Sequence, residues 1–276
     1  MNIIHFLDHF TSDELTANKE QDKKSIVSRR QAFNQLGSLS KKLAMSAVPM
    51  GAAMFASQKV KAQSMNSAVS ALQLALTLEY LEDEFYRMAL DSGVVPAGTR
   101  AEKVYMQISK HESAHVDFLI AGLGDNVVDK PTFDFTAGGA FDPFNENGIG
   151  QDTAYAQLLA LAQAFEDTGV RAYKGQATNL MDAPDLLTAA LQIHSVEARH
   201  ASEIRRLRGL KGWIVQDNRG EGMPEASQAV YNGEAQTMQA GYDTATEFGA
   251  DAGTEAYDEP LSGEDATAIA SLFIVS

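Results

Sequence analysis

Between residues 66 and 212, apolar positions recur at the three-to-four spacing of helices that bury one face. The first such stretch opens at Asn66 and carries Leu72, Ala75, Leu76, Leu81, Phe85 and Met88 before Gly93 and Pro96 end it. A second starts near Thr99 and runs through Val104, Ile108, Phe118 and Leu119 to Gly122 and Gly124. A third follows a cap at Asp152 or Thr153, with Leu158, Leu159, Leu161, Ala162, Phe165, Val170 and Tyr173 on its apolar face. The fourth has Asp182 and Pro184 at its start, then Leu187, Ala190, Leu191, Ile204 and Leu207, with Arg205, Arg206 and Arg208 complementing the helix dipole at its C-terminal end and Gly212 closing it. Short loops within each half predict two antiparallel hairpins, hence an all-α four-helix bundle over residues 63–212.

Residues 125–151 change character. They hold Pro131 and Pro143, several glycines, and Phe133, Phe135, Phe141 and Phe144. Four phenylalanines mark a long crossover held against the bundle between helices two and three rather than a solvated linker. Residues 213–276 carry twelve acidic residues and one basic residue, Arg219, and predict a partly irregular C-terminal extension with one short apolar segment, Ala266 to Val275.

Residues 1–62 differ from the rest. Arg29-Arg30 within Ser28-Arg29-Arg30-Gln31-Ala32-Phe33, then Lys41-Lys42, a small-residue apolar stretch from Leu43 to Ala56, and Val60-Lys61-Ala62 give the order basic, apolar, small-residue cleavage site. This resembles a twin-arginine export signal and implies a periplasmic or secreted protein with no stable membrane insertion after processing. The apolar stretch is too short to span a bilayer. A basic amphipathic helix or a retained anchor is the alternative.

Polar residues interrupt the apolar faces in a repeated pattern. Glu112-Ser113-Ala114-His115 lies in the second helix and Glu197-Ala198-Arg199-His200 in the fourth, each preceded by 33 or 31 residues by a lone helical glutamate, Glu79 or Glu166. At about 100° per residue, a Glu and a His three apart stand about 60° from each other on one face, so both reach one metal ion. One glutamate from each of two helices and Glu-x-x-His from each of the other two make the ligand set of carboxylate-bridged two-metal bundles. Tyr86 follows Glu79 by seven residues and Tyr173 follows Glu166 by seven, two turns along the same face, where a phenol can hydrogen-bond a ligand or pass electrons. Tyr86 and Tyr173 are therefore the candidate catalytic residues, set against the plainer reading of core tyrosines.

Two ambiguities stand. Glu82 lies one turn after Glu79 on nearly the same face, so either is the first-helix ligand, with the tyrosine register favouring Glu79. His111-Glu112-Ser113-Ala114-His115 also spells the His-Glu-x-x-His of zinc proteases. That reading leaves the second Glu-x-x-His unexplained, and Val196 stands where the matching histidine would be.

Composition narrows the chemistry. The chain has no cysteine, so any metal is held by carboxylate and imidazole, which suits iron or manganese better than zinc. Net charge is −15. The first 62 residues hold 9 Lys/Arg and 5 Asp/Glu, leaving 13 against 32 in the remainder, a surface that repels nucleic acid and attracts cations.

Leu78-Glu79-Tyr80-Leu81-Glu82, His111-Glu112-x-x-His115, Phe165-Glu166-Asp167-Thr168-Gly169-Val170-Arg171-Ala172-Tyr173-Lys174-Gly175 and Val196-Glu197-Ala198-Arg199-His200 together resemble the ferritin-like domain family that includes plant and bacterial desiccation-related proteins. The resemblance covers about Asn66 to Leu210, and Asp258-Glu259-Pro260-Leu261 is similar to that family's C-terminal region. More distantly the order of ligands resembles bacterioferritins, rubrerythrins and manganese catalases. It departs from them at Glu82, where a small residue is expected, in its longer crossover, and in lacking rubredoxin-like cysteines, so an outside reductant would be needed. The resemblance implies a di-iron or di-manganese centre, Glu79 or Glu82 with Glu112, His115, Glu166, Glu197 and His200, that oxidises Fe(II) or removes oxygen or peroxide. The alternative it implies is a non-catalytic stress protein. A homo-oligomer is compatible with either.

Overall fold

The computed structural model describes residues 52–148 and 151–275, with side chains over 67–148 and 152–275. The export motif around Arg29 and Arg30 lies outside the described residues. Four long helices form the bundle: α1 (Ala52–Asp91), α2 (Arg100–Leu123), α3 (Ala154–Gln176) and α4 (Pro184–Leu207). Two short helices, α5 (Ala245–Glu255) and α6 (Gly263–Ser271), and a two-residue antiparallel ribbon, β1 (Met238–Gln239) with β2 (Tyr242–Asp243), belong to the C-terminal extension. The fold is an all-α four-helix bundle, as the apolar periodicity predicts. No described helix is long and apolar enough to cross a membrane.

Side-chain bonds fix the direction of each hairpin. Gln73 reaches the Asn126 carbonyl and Ser113 donates to Asp83 at 2.6 Å, so α1 and α2 run antiparallel. Arg205 on Asp167 and His194 on the Val170 carbonyl do the same for α3 and α4. Thr99 caps α2 by accepting the Glu102 amide, and Pro184 occupies the first turn of α4, where its missing N–H costs nothing. Elsewhere the ends differ from the sequence expectation. Backbone helix α1 already begins at Ala52 rather than near Asn66, and Thr153 makes no side-chain cap because a 3-10 turn, Gln151–Thr153, leads into α3. Helix α4 stops at Leu207, since Gly209 takes φ +75°, a conformation that ends helices well before Gly212.

The crossover is part of the core. Phe135 and Phe144 are buried, their rings 5.4 and 5.7 Å from that of Phe85, with Phe165 edge-on to Phe85 at 5.0 Å. Fully burying each such ring contributes about 1.5–3 kcal/mol. The chain's end pairs with the crossover, as the Val275 amide donates to the Thr132 carbonyl and the Asp134 amide to that of Phe273.

The extension is fastened to α3 by polar bonds. Buried Arg171 donates to the carbonyls of Val230, Asn232 and Glu259 and pairs with Glu234 at 2.6 Å. Arg205, read from sequence as a dipole partner, is instead buried against Asp167, whose second partner is the Tyr231 hydroxyl at 2.9 Å. Gly175 lets the extension approach, because a Cβ there would lie 1.7 Å from the Leu261 carbonyl oxygen. Helix α6 thereby covers the groove between α1 and α3, with Leu78, Ala172, Ala266 and Ala270 in one apolar cluster.

Candidate metal centre

Midway along the bundle the apolar core gives way to carboxylates. Glu79 and Glu82 from α1, Glu112 from α2, Glu166 from α3 and Glu197 from α4 are all buried, together with His200 of α4. His115 of α2 is nearly so, with 12% of its side chain exposed. Their convergence follows from helical register, each ligand type lying on the inward face of its own helix.

The geometry has an internal twofold character. His115 Nδ1 faces three carboxylate oxygens: Glu112 Oε2 at 3.0 Å, Glu79 Oε2 at 3.2 Å and Glu197 Oε1 at 3.2 Å. His200 Nδ1 likewise faces Glu112 Oε1 at 2.9 Å, Glu166 Oε2 at 3.3 Å and Glu197 Oε2 at 3.4 Å. Glu112 and Glu197 each give one oxygen to either group, while Glu79 and Glu166 serve one group apiece. One proton on an imidazole nitrogen satisfies one acceptor, not three. Glu112 Oε1, Glu166 Oε2, both Glu197 oxygens and His200 Nδ1 are buried without a hydrogen bond of proper angle, so they point at shared points rather than at one another. A cation with ligands at about 2.1 Å sets neighbouring donor atoms about 3.0–3.4 Å apart, the spacing found here. The residues fit two divalent ions.

Electrostatics agree. Burial raises the carboxyls of Glu82 and Glu112 well above the ordinary range, helped in each by the charge of Glu197. Burial also lifts Glu166 to about 7 against the attraction of His200. Burial opposes protonation of His115, yet the facing carboxylates of Glu112, Glu197 and Glu79 push it up to about 12, and His200 is raised against burial by Glu166 and its neighbours. Glu197, which burial alone would raise, is held at about 2 by both imidazoles.

Each sequence-predicted site residue can now be placed. Glu79 belongs to the His115 group, and Glu82 to neither, although it is buried beside them. The tyrosines donate across the bundle: Tyr86 of α1 to Glu166 Oε1 of α3, and Tyr173 of α3 to Glu79 Oε1 of α1, both at 2.5 Å. Sequence placed each phenol on the face of its own glutamate, and the bond goes to the other. His111 does not enter either group, as a zinc-protease site would require. Its Nδ1 lies 2.8 Å from His200 Nε2 with the rings stacked at 5.1 Å, so it orients that imidazole from behind.

A bundle of this topology with mixed carboxylate and imidazole groups at its midsection defines a class of metal-binding helical proteins. The ferritin-like domain family matches residues 67–210, and the chain belongs to that family. Comparison with individually curated proteins returns no match.

Proposed function

We propose that the protein binds two iron or manganese ions between its four helices and uses them in Fe(II) oxidation or in removing oxygen or peroxide, outside the cytoplasm after twin-arginine export. The observation that carries the metal reading is the division of Glu112 and Glu197, one oxygen toward the His115 group and the other toward the His200 group. Glu79, Glu112, His115 and Glu197 would hold one ion, and Glu112, Glu166, Glu197 and His200 the other. Burial favours the neutral form of Glu82, and the four other carboxylates with two neutral imidazoles would balance two divalent cations without residual charge, which removes the repulsion that burial otherwise imposes.

Bound there, such ions supply one-electron cycling between oxidation states. The chain's own groups do the rest. Tyr86 and Tyr173 hold the non-shared oxygens of Glu166 and Glu79, leaving the other oxygen of each for a cation. His111 fixes the ring plane of His200. Apolar side chains of α1 and α3 on either side keep bulk water from the carboxylates.

The test is elemental analysis of protein purified from the compartment where it accumulates, with Glu112→Gln and Glu197→Gln beside the parent. About two ions per chain are expected by the carboxylate-bundle pattern, with most of the metal lost in either variant. Unchanged metal content in both variants would overturn the reading.

A further inference from the structure

Helices α2 and α4 bring the imidazoles to one side of the centre, where His111 and His115 are partly exposed; α1 and α3 form the other side, covered by α6. That covered side is not solid. An apolar cavity of about 160 Å³ lies between the crossover, α3, the 3-10 turn Glu225–Val230 and α6, with Ser227 contributing its one side-chain hydroxyl. A second cavity of about 10 Å³, on the Glu82 side, shares Phe165, Ile269 and Phe273 with the first as a common wall. Its inner wall includes Leu78, Thr168 and Glu82. The rings of Phe165 and Phe273 meet edge-on at 4.9 Å across the partition. Beyond it, Glu82 fits closely against α3 because residue 169 is glycine: a Cβ there would sit 3.2 Å from Glu82 Oε1 and 3.6 Å from Glu197 Cγ.

Size and polarity limit what this route serves. An apolar cavity of about 150 Å³ stays dry and takes up xenon or benzene, and a space of about 10–15 Å³ holds one water-sized molecule. Cations are excluded by the desolvation cost of an apolar wall. Hydrogen peroxide would lose its hydrogen bonds on the same surface, whereas dioxygen has none to lose. Resting on the metal reading above, we infer that the two cavities form an apolar access route for dioxygen, reaching the centre beside Glu82 between α1 and α3, while cations reach it from the histidine side. The C-terminal extension is therefore part of the site, since Ile269 and Phe273 build both cavities.

Xenon is the probe, being apolar and detectable without turnover. Crystals of the full chain pressurised with xenon should show it in the outer cavity, the one large enough to hold it. Leu272→Trp and Ala226→Trp change exposed positions at the rim of the outer cavity and leave every metal-site residue untouched. Both variants should keep the parent's metal content and lose xenon. In the Fe(II)-loaded protein, both should slow oxidation by dioxygen by roughly an order of magnitude and leave oxidation by hydrogen peroxide at the parent rate. An outer cavity without xenon in the parent, or dioxygen oxidation at the parent rate in both variants, would overturn the route. Equal slowing with both oxidants would overturn it too. Absence of metal in the parent fails the metal reading instead, and elemental analysis on the same samples tells the two failures apart.

Discussion

Replacing Arg171 with Met tests what fastens the extension to the bundle. The guanidinium is buried and serves three carbonyls and one carboxylate, all of them in residues 230–259. Methionine keeps the apolar stem and removes every donor. Breaking a buried ion pair from one side costs about 3–5 kcal/mol, and each buried acceptor left bare adds about 1–3 kcal/mol unless water reaches it. Two effects cap the total. Glu234 is already raised by burial to about 7 against the pull of Arg171, so without that partner it takes up a proton near neutrality, and the extension can lift to let water in. The expected loss is therefore about 3–5 kcal/mol, a large share of the roughly 5–15 kcal/mol that a domain holds. Denaturant unfolding reads the loss, and limited proteolysis should show new cuts in residues 213–262 ahead of any in the bundle. Arg171→Lys should behave almost as badly, because an ammonium cannot span the same fork of acceptors. Arg171→Met combined with Glu234→Met should recover part of the loss by removing the stranded carboxyl. A single variant within about 1 kcal/mol of the parent, with protease resistance unchanged, would refute the reasoning.

Metal uptake should release protons and strengthen with pH. His115 is pushed up to about 12 from 6.5 and His200 is raised too, so at pH 7 each gives up a proton before it can ligate, and affinity for both ions should climb as pH rises above 7. A pH-indicator titration with Mn(II) should count at least two protons per chain near pH 8, one from each imidazole with any held by Glu112 in addition, and none would contradict the assignment of both imidazoles as ligands. For the metal-free fold the signs are separable. The raised His115 pKa stabilises it fully below 6.5, a contribution lost as pH rises toward about 12, whereas Glu197, held at about 2 rather than 4.5, stabilises above 4.5 and loses its share as pH falls through about 2. Export has its own test: changing Arg29 and Arg30 both to Lys should leave a full-length precursor in the cytoplasm while the parent yields a product starting near Gln63, and unchanged export would remove the twin-arginine reading.

How much of this was legible in the sequence depends on how many helices a statement involves. Glu112 with His115, and Glu197 with His200, need only the 3.6-residue turn of one helix, and the structure brings both pairs to the centre. Glu79 and Glu82 both stand open from sequence because they lie on one face of α1; it takes α3 to separate their surroundings, since Glu82 packs against Gly169 while Glu79 meets His115. The tyrosine bonds cross between α1 and α3 for the same reason, since a face can be read from one helix but its partner requires the offset between two. Arg205 illustrates the limit on the stability side. Its place in the last turn of α4 fits a dipole partner, and only the register of α4 on α3 sets it against Asp167. The extension was the least legible part, because its elements are short and held by Arg171, whose acceptors are mainly backbone carbonyls that no side-chain pattern announces.

The two halves of the bundle repeat each other closely enough that the one break is informative. Glu79 and Glu166 are 87 residues apart, as are Tyr86 and Tyr173, and the same offset carries Glu82 to Gly169. A strictly symmetric site would place either two glutamates there, crowding two more buried charges against Glu197, or two small residues, leaving a void. One glutamate facing one glycine fills the space with a single carboxyl whose ionisation burial disfavours, and sets no second one beside Glu197. The break also falls on the side of the bundle where α6 and the apolar cavities lie, away from the histidines. Asymmetry among the buried carboxylates and asymmetry in what covers the bundle thus occur at the same place, and that coincidence is why Gly169→Ala, which leaves every member of the two Glu/His groups in the sequence, should disturb the Glu82 side of the centre before it disturbs the histidine side.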